Sequence, residues 1–449
     1  MIKNTITLNR DTIMPSVRGK VLTARYTARA KKYAAVTTLE EGFVWARDKP
    51  AIGPWCMDID GNVMLDFASH IASAPLGYNH PGIIELMQNF PVADPDRYAG
   101  TDFLAGYSHA DVPTPTDLHL KVLEITKQFG FDCSLFSNSG AEAVENAIKI
   151  CYNARHMEGY GVCFDGAFHG RTLGALSLNR SKAVQREYYP QIPNIVSFPY
   201  CACRGRCVCG WETKSRRGKI ENRFHQWLDK ESGQVRPEEV SYVILEPVQG
   251  EGGYNFPNRN FMRSLYKEAQ SLGIPVISDE IQAGLGRTGK WWACEHYGVK
   301  PDVIAAGKGL RVGATISKRK MFPKEQGRIS GTWVEGNALA SAVGFKTIEI
   351  IQREKLLRNA ERTGGYFLKR LRELLRTKHV VDVRGLGLLD AIEFDLKKTR
   401  DLVVEHCMKQ GLLVIGAGYK SLRFLPPLTV TKREIDVAVD VLARVIRKI

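Results

Sequence analysis

Four short apolar runs recur through the middle of the sequence and limit its fold more than any other feature. They lie at 160–168, 240–248, 274–281 and 301–309. Each run is continuously apolar rather than alternating, which is typical of strands that are buried on both faces. Strands of this kind occur in parallel sheets, where helices connect one strand to the next.

Helix patterns fill the intervals between these runs. The clearest covers 259–273, and the stop signals Gly273 and Pro275 follow its last apolar residue. Its apolar face consists of Phe261, Leu265, Ala269 and Leu272. This alternation predicts a parallel α/β sheet, whose ligands gather at the carboxyl ends of the strands.

Both ends of the chain depart from this rhythm. Residues 57–67 predict two strands around an Asp-Gly-Asn turn. After about residue 345, strand and helix patterns indicate a smaller α+β lobe. We therefore expect 1–90 to supply an N-terminal segment and part of a small domain, 91–344 to form a large domain, and 345–449 to complete the small one.

Composition and charge exclude several classes of protein. No apolar stretch approaches the roughly 20 residues of a membrane helix, and the N-terminus has no signal-peptide segment, so we expect a cytoplasmic protein without a membrane partner. The formal charge is +15, from 63 basic and 48 acidic residues. The Lys and Arg residues are scattered without interleaved aromatics, so we expect no nucleic-acid partner and suggest anionic small ligands instead.

The segment Gly284–Gly289 reads G-x-G-x-x-G, the dinucleotide-binding pattern. A Rossmann fingerprint should open the first βα unit and meet an acidic residue at the end of a second strand. Here the glycines follow Asp279 and Glu280, and no second strand is indicated after them. A glycine-rich loop that needs positive φ is the better interpretation.

Two strand ends carry the residues that pyridoxal phosphate (PLP) chemistry requires. Asp279 lies near the end of one apolar run and Lys308 near the end of the next. Parallel strands would bring both to one edge of the sheet, where a lysine could form a Schiff base and an anion could hold the pyridinium nitrogen. For Lys308 on its own, a solvated loop lysine is the alternative.

A helix start at residue 140 would suit the phosphate of such a cofactor. Ser139 and Glu142 form an S-x-x-E capping pattern, which predicts a helix from near Gly140. Its free N–H groups and positive dipole end would favour an anion. Further along, Phe168 offers a ring that could stack on a flat cofactor, and Arg171 could hold a carboxylate.

With these motifs in place, the sequence resembles the class III (fold-type I) PLP-dependent aminotransferases. This group contains 4-aminobutyrate, ornithine and acetylornithine aminotransferases, with some amino-acid racemases as close relatives. The resemblance covers most of the chain, through DIDGNVMLDF, NSGAEAVENAIK, AFHGRT, EPVQGEGGY, DEIQAGLGRTG, KPDVIAAGKG, GTWVEGNALA, RGLGLLDAIE and LRFLPPLTVTKREID. It implies a large domain with a mixed, mostly parallel sheet flanked by helices, a smaller α+β domain built from both termini, and a homodimer with active sites at the interface.

The resemblance also assigns roles to particular residues. Asp279 would pair with the pyridinium nitrogen, and Lys308 would form the Schiff base and carry the proton. The cofactor-binding residues that it implies are Ser139, Gly140, Ala141, Phe168, His169, Glu246, Asp279, Gln282, Lys308 and Thr332. The substrate-binding residues that it implies are Ile71, Arg171, Glu251 and Arg423. In the family, a glutamate at the position of Glu251 neutralises the arginine at the position of Arg423 when the second amino donor is bound.

Three stretches depart from the family pattern. Thr332 resembles the family's threonine that reaches the cofactor phosphate from the other subunit. Its segment carries one more residue than usual and lacks the following Pro, which puts this contact in doubt. His70 and Tyr78 stand where glycine and histidine are common, so we expect an unusual substrate pocket near Ile71.

The third departure is the segment CACRGRCVC. It holds Cys201, Cys203, Cys207 and Cys209. Four thiolates this close could bind a structural zinc ion or an iron–sulfur cluster, although C-x-C-x₃-C-x-C is not the common zinc spacing. Four reduced cysteines in a surface loop are the alternative.

The sequence thus predicts a PLP-dependent aminotransferase that moves an amino group from an ω- or α-amino acid to a 2-oxo acid, with 2-oxoglutarate as the first choice of acceptor. The donor could resemble 4-aminobutyrate, ornithine or lysine. A PLP-dependent amino-acid racemase is one alternative. A binding protein that has kept the fold without catalysis is another, which the presence of Lys308, Asp279 and Gln282 disfavours.

Overall fold

A computed structural model describes residues 8–35, 42–46, 48–90, 112–215, 218–325, 327–329 and 337–449. The chain divides into two compact units. The larger unit is Glu85–Leu357, and the smaller unit combines residues up to Ile84 with Arg358–Ile449. Among the described residues, no helix is both long enough and apolar enough to cross a bilayer.

The described helices and strands have the following bounds. The helices are α1 (Val21–Ala30), α2 (Ser69–Ala72), α3 (Pro81–Gln88), α4 (Pro115–Glu124), α5 (Gly140–Arg155), α6 (Leu173–Ser177), α7 (Arg223–Leu228), α8 (Arg259–Ser271), α9 (Ala338–Arg353), α10 (Leu356–Arg372), α11 (Lys397–Lys409) and α12 (Lys432–Ile446). The strands are β1 (Trp55–Met57), β2 (Val63–Asp66), β3 (Cys133–Ser137), β4 (Tyr160–Phe164), β5 (Ile195–Phe198), β6 (Glu212–Lys214), β7 (Ile220–Asn222), β8 (Val240–Leu245), β9 (Val276–Asp279), β10 (Val303–Ala306), β11 (Gly313–Ser317), β12 (Val380–Leu386), β13 (Leu389–Phe394), β14 (Leu412–Leu413), β15 (Ile415–Ala417) and β16 (Ser421–Phe424).

The larger unit is built on a mixed sheet. The order of its described strands is β3-β11-β10-β9-β8-β4-β5. Strands β10, β9, β8, β4 and β5 run parallel, whereas β11 is antiparallel to both of its neighbours. The apolar runs of the sequence thus form β4, β8, β9 and β10, and every residue of β8, β9 and β10 is buried. These strand predictions are confirmed.

The predicted helix after β8 is α8, and its start and end follow from local sequence. Asn258 is its N-cap, with Oδ1 accepting from the Asn260 N–H at 2.8 Å. Gly273 follows the helix with φ 70°, a conformation that glycine adopts without strain. Phe261, Leu265 and Ala269 are buried, as their shared face predicts.

The register of β9 and β10 positions the site. Asp279 lies opposite Ala305 in this parallel pair. Asp279 is the last residue of β9, and Lys308 comes two residues after the end of β10. Because parallel strands end on the same side of a sheet, both residues leave it at the same edge.

The smaller unit contains two short sheets, β1-β2-β14 and β12-β13-β16-β15. The predicted Asp-Gly-Asn turn joins β1 to β2, which pair antiparallel. The buried carboxylate of Glu434 ties the two ends of the chain together, because it accepts from Trp55 Nε1 at 2.9 Å and from Arg10 Nε at 2.7 Å. The C-terminal sequence completes the fold that the N-terminal segment begins.

The compact units do not have the domain bounds that the sequence suggested. We expected the boundaries at 90/91 and 344/345, whereas compactness divides the chain at 84/85 and 357/358. Helix α9 accounts for the second difference, because it packs on α4 of the larger unit. At Gly344 of α9, an added Cβ would lie only 2.4 Å from the Leu310 carbonyl oxygen.

Candidate active site

The N-terminus of α5 forms a cradle for an anion. Ser139 has extended backbone angles and caps the helix, with its Oγ accepting from the Glu142 N–H at 3.2 Å. An added Cβ at Gly140 would lie 2.9 Å from Ile281 Cδ1, so a larger residue here would require the Ile281 side chain to move. The first turn presents backbone N–H groups that have no intrahelical partner, which is the arrangement that binds phosphate.

Lys308 lies beside this cradle in a strained conformation. Its φ is 45°, in the left-handed region that a lysine rarely adopts. An added Cβ on the preceding Gly307 would lie 3.3 Å from the Cα of Gly140. The backbone that carries the lysine therefore touches the first residue of α5, and backbone strain of this kind is common at functional sites.

A buried imidazole and carboxylate lie at the same edge of the sheet. His169 Nδ1 is 2.7 Å from Asp279 Oδ2, and the two residues are only 2% and 4% exposed. This distance fits a hydrogen bond from the imidazole N–H to the carboxylate oxygen. The other carboxylate oxygen accepts from the Ile281 N–H at 3.1 Å. Each oxygen keeps lone-pair capacity for one further donor.

Asn179 fixes the backbone of the loop that carries His169. Its Oδ1 accepts from the His169 N–H at 2.7 Å, and its Nδ2 donates to the Gly170 carbonyl oxygen at 2.8 Å. Sequence reasoning missed this buried asparagine, because it lies in none of the motifs that were recognised. One indication of this residue was present in the sequence, namely that a polar side chain follows directly after the apolar stretch of α6.

Glu246 holds two loops of the site together. Its carboxylate accepts from the Phe168 N–H at 3.0 Å and from the Gly250 N–H at 2.8 Å. Burial raises the pKa of this carboxyl group to about 7, and the charge of Asp279 adds to the increase while His169 opposes it. The structure thus gives Glu246 a positioning role toward the loop of Phe168.

The predicted substrate-binding residues of the larger unit have partners of their own. The Arg171 guanidinium carbon lies 5.8 Å from the centre of the Phe168 ring, a cation–π distance. Glu251 Oε1 is 2.6 Å from Lys182 Nζ, and both side chains are partly exposed. Lys182 was not predicted, since nothing in its local sequence distinguishes it from a surface lysine.

The remaining predicted residues of the larger unit lie close to these groups. Ala141 packs against the histidine loop, since an added Cβ at Gly170 would be 2.7 Å from its Cβ. Gln282 is half-buried beside Gly250, where an added Cβ would lie 2.6 Å from its Oε1. Thr332 lies outside the described residues.

Two predicted substrate-binding residues belong to the smaller unit. Arg423 is buried within β16, opposite Ala391 of β13. Ile71 is 39% exposed and lies in α2, where Ser69, His70, Ile71 and Ala72 all have positive φ. The carboxylate of Asp66 holds the entry to this left-handed turn by accepting from the N–H groups of Ala68 and Ser69, both at 2.8 Å.

The four cysteines of the CACRGRCVC segment also come together in the structure. The Sγ atoms of Cys201, Cys203, Cys207 and Cys209 all lie within 4.8 Å of one another. We refer to these four residues as the cysteine cluster.

These residues fit PLP. The α5 N-terminus suits a phosphate, the buried Asp279 carboxylate retains capacity for a pyridinium N–H, and Lys308 supplies an amine. The buried Nε2 of His169 has no hydrogen-bond partner among the described residues, so it can bond to a group that the protein does not supply. The glycines Gly284–Gly289 do not form a dinucleotide-binding turn, since they follow the Asp279 strand in a loop that opens no helix.

Comparison with known proteins agrees with this geometry. The family model described as aminotransferase class-III matches residues 43–446. Acetylornithine aminotransferase of Archaeoglobus fulgidus is 32% identical over 92% of this chain and 98% of its own. Alanine/serine racemase of Pyrococcus horikoshii is also 32% identical, over 89% of this chain and 85% of its own.

Solved structures share the fold as well as the sequence. An ornithine aminotransferase from Toxoplasma gondii, solved with partial occupancy of PLP at its active site, superimposes with a TM-score of 0.77. Its sequence is 25% identical, and the match covers 96% of this chain and 98% of that one. The mixed sheet, the site at its carboxyl edge and these relatives lead to one conclusion: the chain belongs to the class-III aminotransferases, the fold-type I transaminases that use PLP.

Proposed function

We propose that this enzyme transfers an amino group from an ω- or α-amino acid to a 2-oxo acid, with 2-oxoglutarate as the acceptor. The observation that carries the proposal is the buried His169–Asp279 pair at the same sheet edge as Lys308 and the α5 N-terminus. The donor belongs to the group of 4-aminobutyrate, ornithine and lysine, because relatives named for ornithine and 4-aminobutyrate are 30–31% identical over most of this chain.

The residues of the site divide the work between binding and proton transfer. When bound, PLP would supply an electron sink for the negative charge left when the substrate loses a proton from the carbon that bears its amino group. Ser139, Gly140 and Ala141 would hold its phosphate at the start of α5, and Asp279 would keep the pyridine nitrogen protonated. His169 holds the Asp279 carboxylate in place through Nδ1.

Lys308 acts as the base and the acid of the reaction. Its amine would hold the cofactor, and it would carry a proton to and from the substrate carbon. Gln282 would bind the 3-hydroxyl group of the cofactor, and Phe168 would supply an aromatic ring for stacking. The strained φ of Lys308 fixes the direction in which this side chain leaves the backbone.

Arg171, Glu251, Arg423 and Ile71 select the substrate. We assign Arg423 to the α-carboxylate of glutamate and Arg171 to a distal carboxylate. Glu251 neutralises an arginine charge when the other donor is bound. Its ion pair with Lys182 is partly exposed and so worth only about 0–1 kcal/mol, a small cost for a change of partner.

We further propose a cytoplasmic homodimer in which Thr332 contacts the phosphate of the other subunit. This follows from family membership, in which active sites lie at the subunit interface. Light scattering of the purified enzyme would test the dimer. Complementation between a Lys308→Ala subunit and a Thr332→Ala subunit would test the shared site. In a mixed dimer one site carries both substitutions and the other carries neither, so the purified mixed dimer should have about half of the wild-type activity and a random mixture about a quarter.

A screen of amino donors tests the main proposal. Purified enzyme with added PLP is incubated with 2-oxoglutarate and each of 4-aminobutyrate, ornithine, lysine and acetylornithine, and the glutamate formed is measured. We expect one donor to give turnover at least tenfold above the others. Absence of glutamate with every donor would reject an amino transfer to 2-oxoglutarate.

Racemisation is the second candidate function, because the Pyrococcus relative is as similar as the Archaeoglobus transaminase. A racemase needs no 2-oxo acid. Incubation with L-alanine or L-serine alone, followed by chiral chromatography, separates the two functions. The appearance of the D-enantiomer without any 2-oxo acid would favour the racemase.

A further inference from the structure

The cysteine cluster lies in the connection between β5 and β6, at the edge of the large sheet. The transamination site does not use it, and none of the roles described above involves a thiol. Cys201 is 3% exposed, whereas the other members lie nearer the surface. The connection therefore holds its sulfur atoms around a common point that is partly shielded by the protein.

The distances between the sulfur atoms match the ligands of a single ion. Cys201 Sγ lies 3.9 Å from Cys207 Sγ, and Cys207 Sγ lies 3.6 Å from Cys209 Sγ. Four sulfurs at about 2.3 Å from a tetrahedral zinc ion stand roughly 3.8 Å apart. The two measured pairs have this spacing, and every other pair of sulfurs lies within 4.8 Å.

Two other arrangements of four thiols fit the distances less well. A disulfide requires an S–S distance of about 2.05 Å, and all four cysteines are free. An iron–sulfur cluster distributes its cysteine ligands over separate iron atoms, which places the sulfurs farther apart than ligands of one ion. The spacing therefore favours a mononuclear centre over a disulfide or a cluster.

The backbone around the cysteines prepares the sulfurs for negative charge. The Glu212 N–H donates to Cys207 Sγ at 3.3 Å, and the Val208 N–H donates to Cys203 Sγ at 3.5 Å. Backbone N–H groups that point at sulfur stabilise a thiolate and orient it toward a metal. Two of the four sulfurs thus have a donor that would stabilise the thiolate form that a metal ligand needs.

The N-terminus of α8 supports the cluster from the protein side. The Asn258 N–H donates to the Cys201 carbonyl oxygen at 2.7 Å, and Asn258 Nδ2 donates to the Cys203 carbonyl oxygen at 3.0 Å. The neighbouring Tyr200 donates its hydroxyl to the Glu246 carbonyl oxygen at 2.8 Å. Through Tyr200, the cluster is thus linked to Glu246 at the end of β8.

We propose that the cysteine cluster binds one divalent metal ion of the zinc type through four thiolates. With four protein ligands the centre is closed, so its role is structural rather than catalytic. The ion crosslinks the β5–β6 connection within itself. The hydrogen bonds of Asn258 link that connection to the start of α8, so the ion steadies the backbone next to Tyr200. The proposal is independent of the substrate of the enzyme.

Metal analysis and cobalt substitution of the holoenzyme test this proposal. Protein purified under reducing conditions without chelators should contain about one zinc per chain by elemental analysis. Reconstitution with Co²⁺ should give intense visible bands and a near-ultraviolet sulfur-to-cobalt band, the pattern of a tetrahedral thiolate site. In native protein the four thiols should react slowly with a thiol reagent until a chelator is added.

Matched variants assign the ion to this cluster. Cys203→Ser and Cys207→Ser should each lower the zinc content at least tenfold and abolish the cobalt bands. Cys133→Ser, at a partly exposed cysteine of β3, should leave both unchanged. The PLP absorbance of each variant shows separately whether the active site has folded, so loss of metal can be told apart from loss of the enzyme.

Three results would overturn the proposal. One is a reduced, zinc-supplied wild-type protein without bound metal, without cobalt bands and with four rapidly reacting thiols. Another is acid-labile sulfide in stoichiometric amount, which would indicate an iron–sulfur cluster. The third is a native mass that is lower by two hydrogens per cysteine pair, which would indicate disulfides.

Discussion

His169 Nδ1 lies 2.7 Å from Asp279 Oδ2, and the two residues are buried, with only 2% and 4% of their surface exposed. The imidazole N–H gives the carboxylate a charge-assisted hydrogen bond in a place where water cannot provide one. A second bond from the Ile281 N–H holds the other oxygen. These two bonds fix the position of the Asp279 carboxylate, so a substitution there should change its charge more than its position.

Asp279→Asn should allow PLP to bind while slowing proton abstraction by about 10²–10³-fold, since a neutral amide cannot hold the ring nitrogen protonated. Single-turnover absorbance measurements with the preferred donor would give the rate. Asp165→Asn, at an exposed carboxylate after β4, serves as the control and should keep the wild-type rate. A wild-type rate in Asp279→Asn would remove this residue from the site.

Lys308→Ala should abolish turnover by several orders of magnitude while the protein stays folded and binds PLP without a covalent bond. The reason is that one side chain supplies both the amine and the proton carrier. Borohydride reduction followed by mass spectrometry should attach PLP to the wild type and leave the variant unlabelled. Covalent labelling at another lysine in the variant would contradict the assignment.

Glu251→Ala should impair the half-reaction with the ω-amino donor at least tenfold more than the half-reaction with glutamate, and Arg423→Ala should have the opposite preference. An arginine cannot deprotonate, so without a carboxylate partner its charge is costly beside an apolar methylene chain. Stopped-flow half-reactions with both substrates measure the preference. Equal losses for both substrates in each variant would rule out this switch.

Glu280 should make the wild type lose stability as the pH rises. Burial raises the pKa of its carboxyl group to about 7. In the unfolded chain this carboxyl group releases its proton near pH 4.5, whereas in the folded chain it keeps the proton up to about pH 7. Because the raised pKa belongs to the folded state, the free energy of unfolding decreases between pH 4.5 and about 7, by up to about 3 kcal/mol. The free energy of unfolding of Glu280→Gln, relative to wild type, should therefore rise between pH 5 and 8.

The comparison must be a difference between the two proteins, because two histidines act in the opposite direction. Burial lowers the pKa of His119 and of His296 to about 4, so their contribution increases stability as the pH rises toward 6.5. These contributions cancel in the difference. The amide also removes one acceptor from the Ala293 and Cys294 N–H groups, a loss that does not depend on pH. A difference that stays constant with pH would contradict the buried, protonated Glu280.

His70→Gly should be more stable than His70→Ala by about 1 kcal/mol. His70 has φ 49° and ψ 46°, and an L-residue pays roughly that amount for a left-handed conformation that glycine adopts freely. Both variants lose the edge contact between His70 and the Tyr78 ring, so the pair isolates the backbone contribution. Urea unfolding at one pH would measure it, and equal stabilities would mean that the turn relaxes.

Sequence patterns predicted the parts of this molecule that follow from local rules. Continuous apolar runs specified β4, β8, β9 and β10, and the Ser139 cap specified the start of α5, because burial and capping are properties of neighbouring residues. The antiparallel insertion of β11 between β10 and β3 could not be predicted from the residues alone, since it depends on which distant strands pair. The resemblance supplied the mixed sheet instead.

Within the site, the sequence predicted the groups that carry chemistry better than the groups that hold them. Asn179 and Lys182 act only through three-dimensional contacts with the His169 backbone and with Glu251. Their neighbours in the sequence give no indication of either contact. The left-handed φ values of His70 and Ile71 could not be predicted from the sequence either, because such values are expected of glycine rather than of these residues.

The pairing of β3 with β11 has a consequence for how the enzyme is made. Ser137, two residues before the cap of the phosphate cradle, lies opposite Gly313 on β11. On a ribosome, the N-terminal half of the chain emerges with β3 unpaired, and it stays so until residues beyond Gly313 leave the exit tunnel. The strand β14 that completes the sheet of β1 and β2 emerges later still. The nascent enzyme therefore carries exposed strand edges through most of its synthesis, the period in which multidomain chains are most open to aggregation and to chaperones.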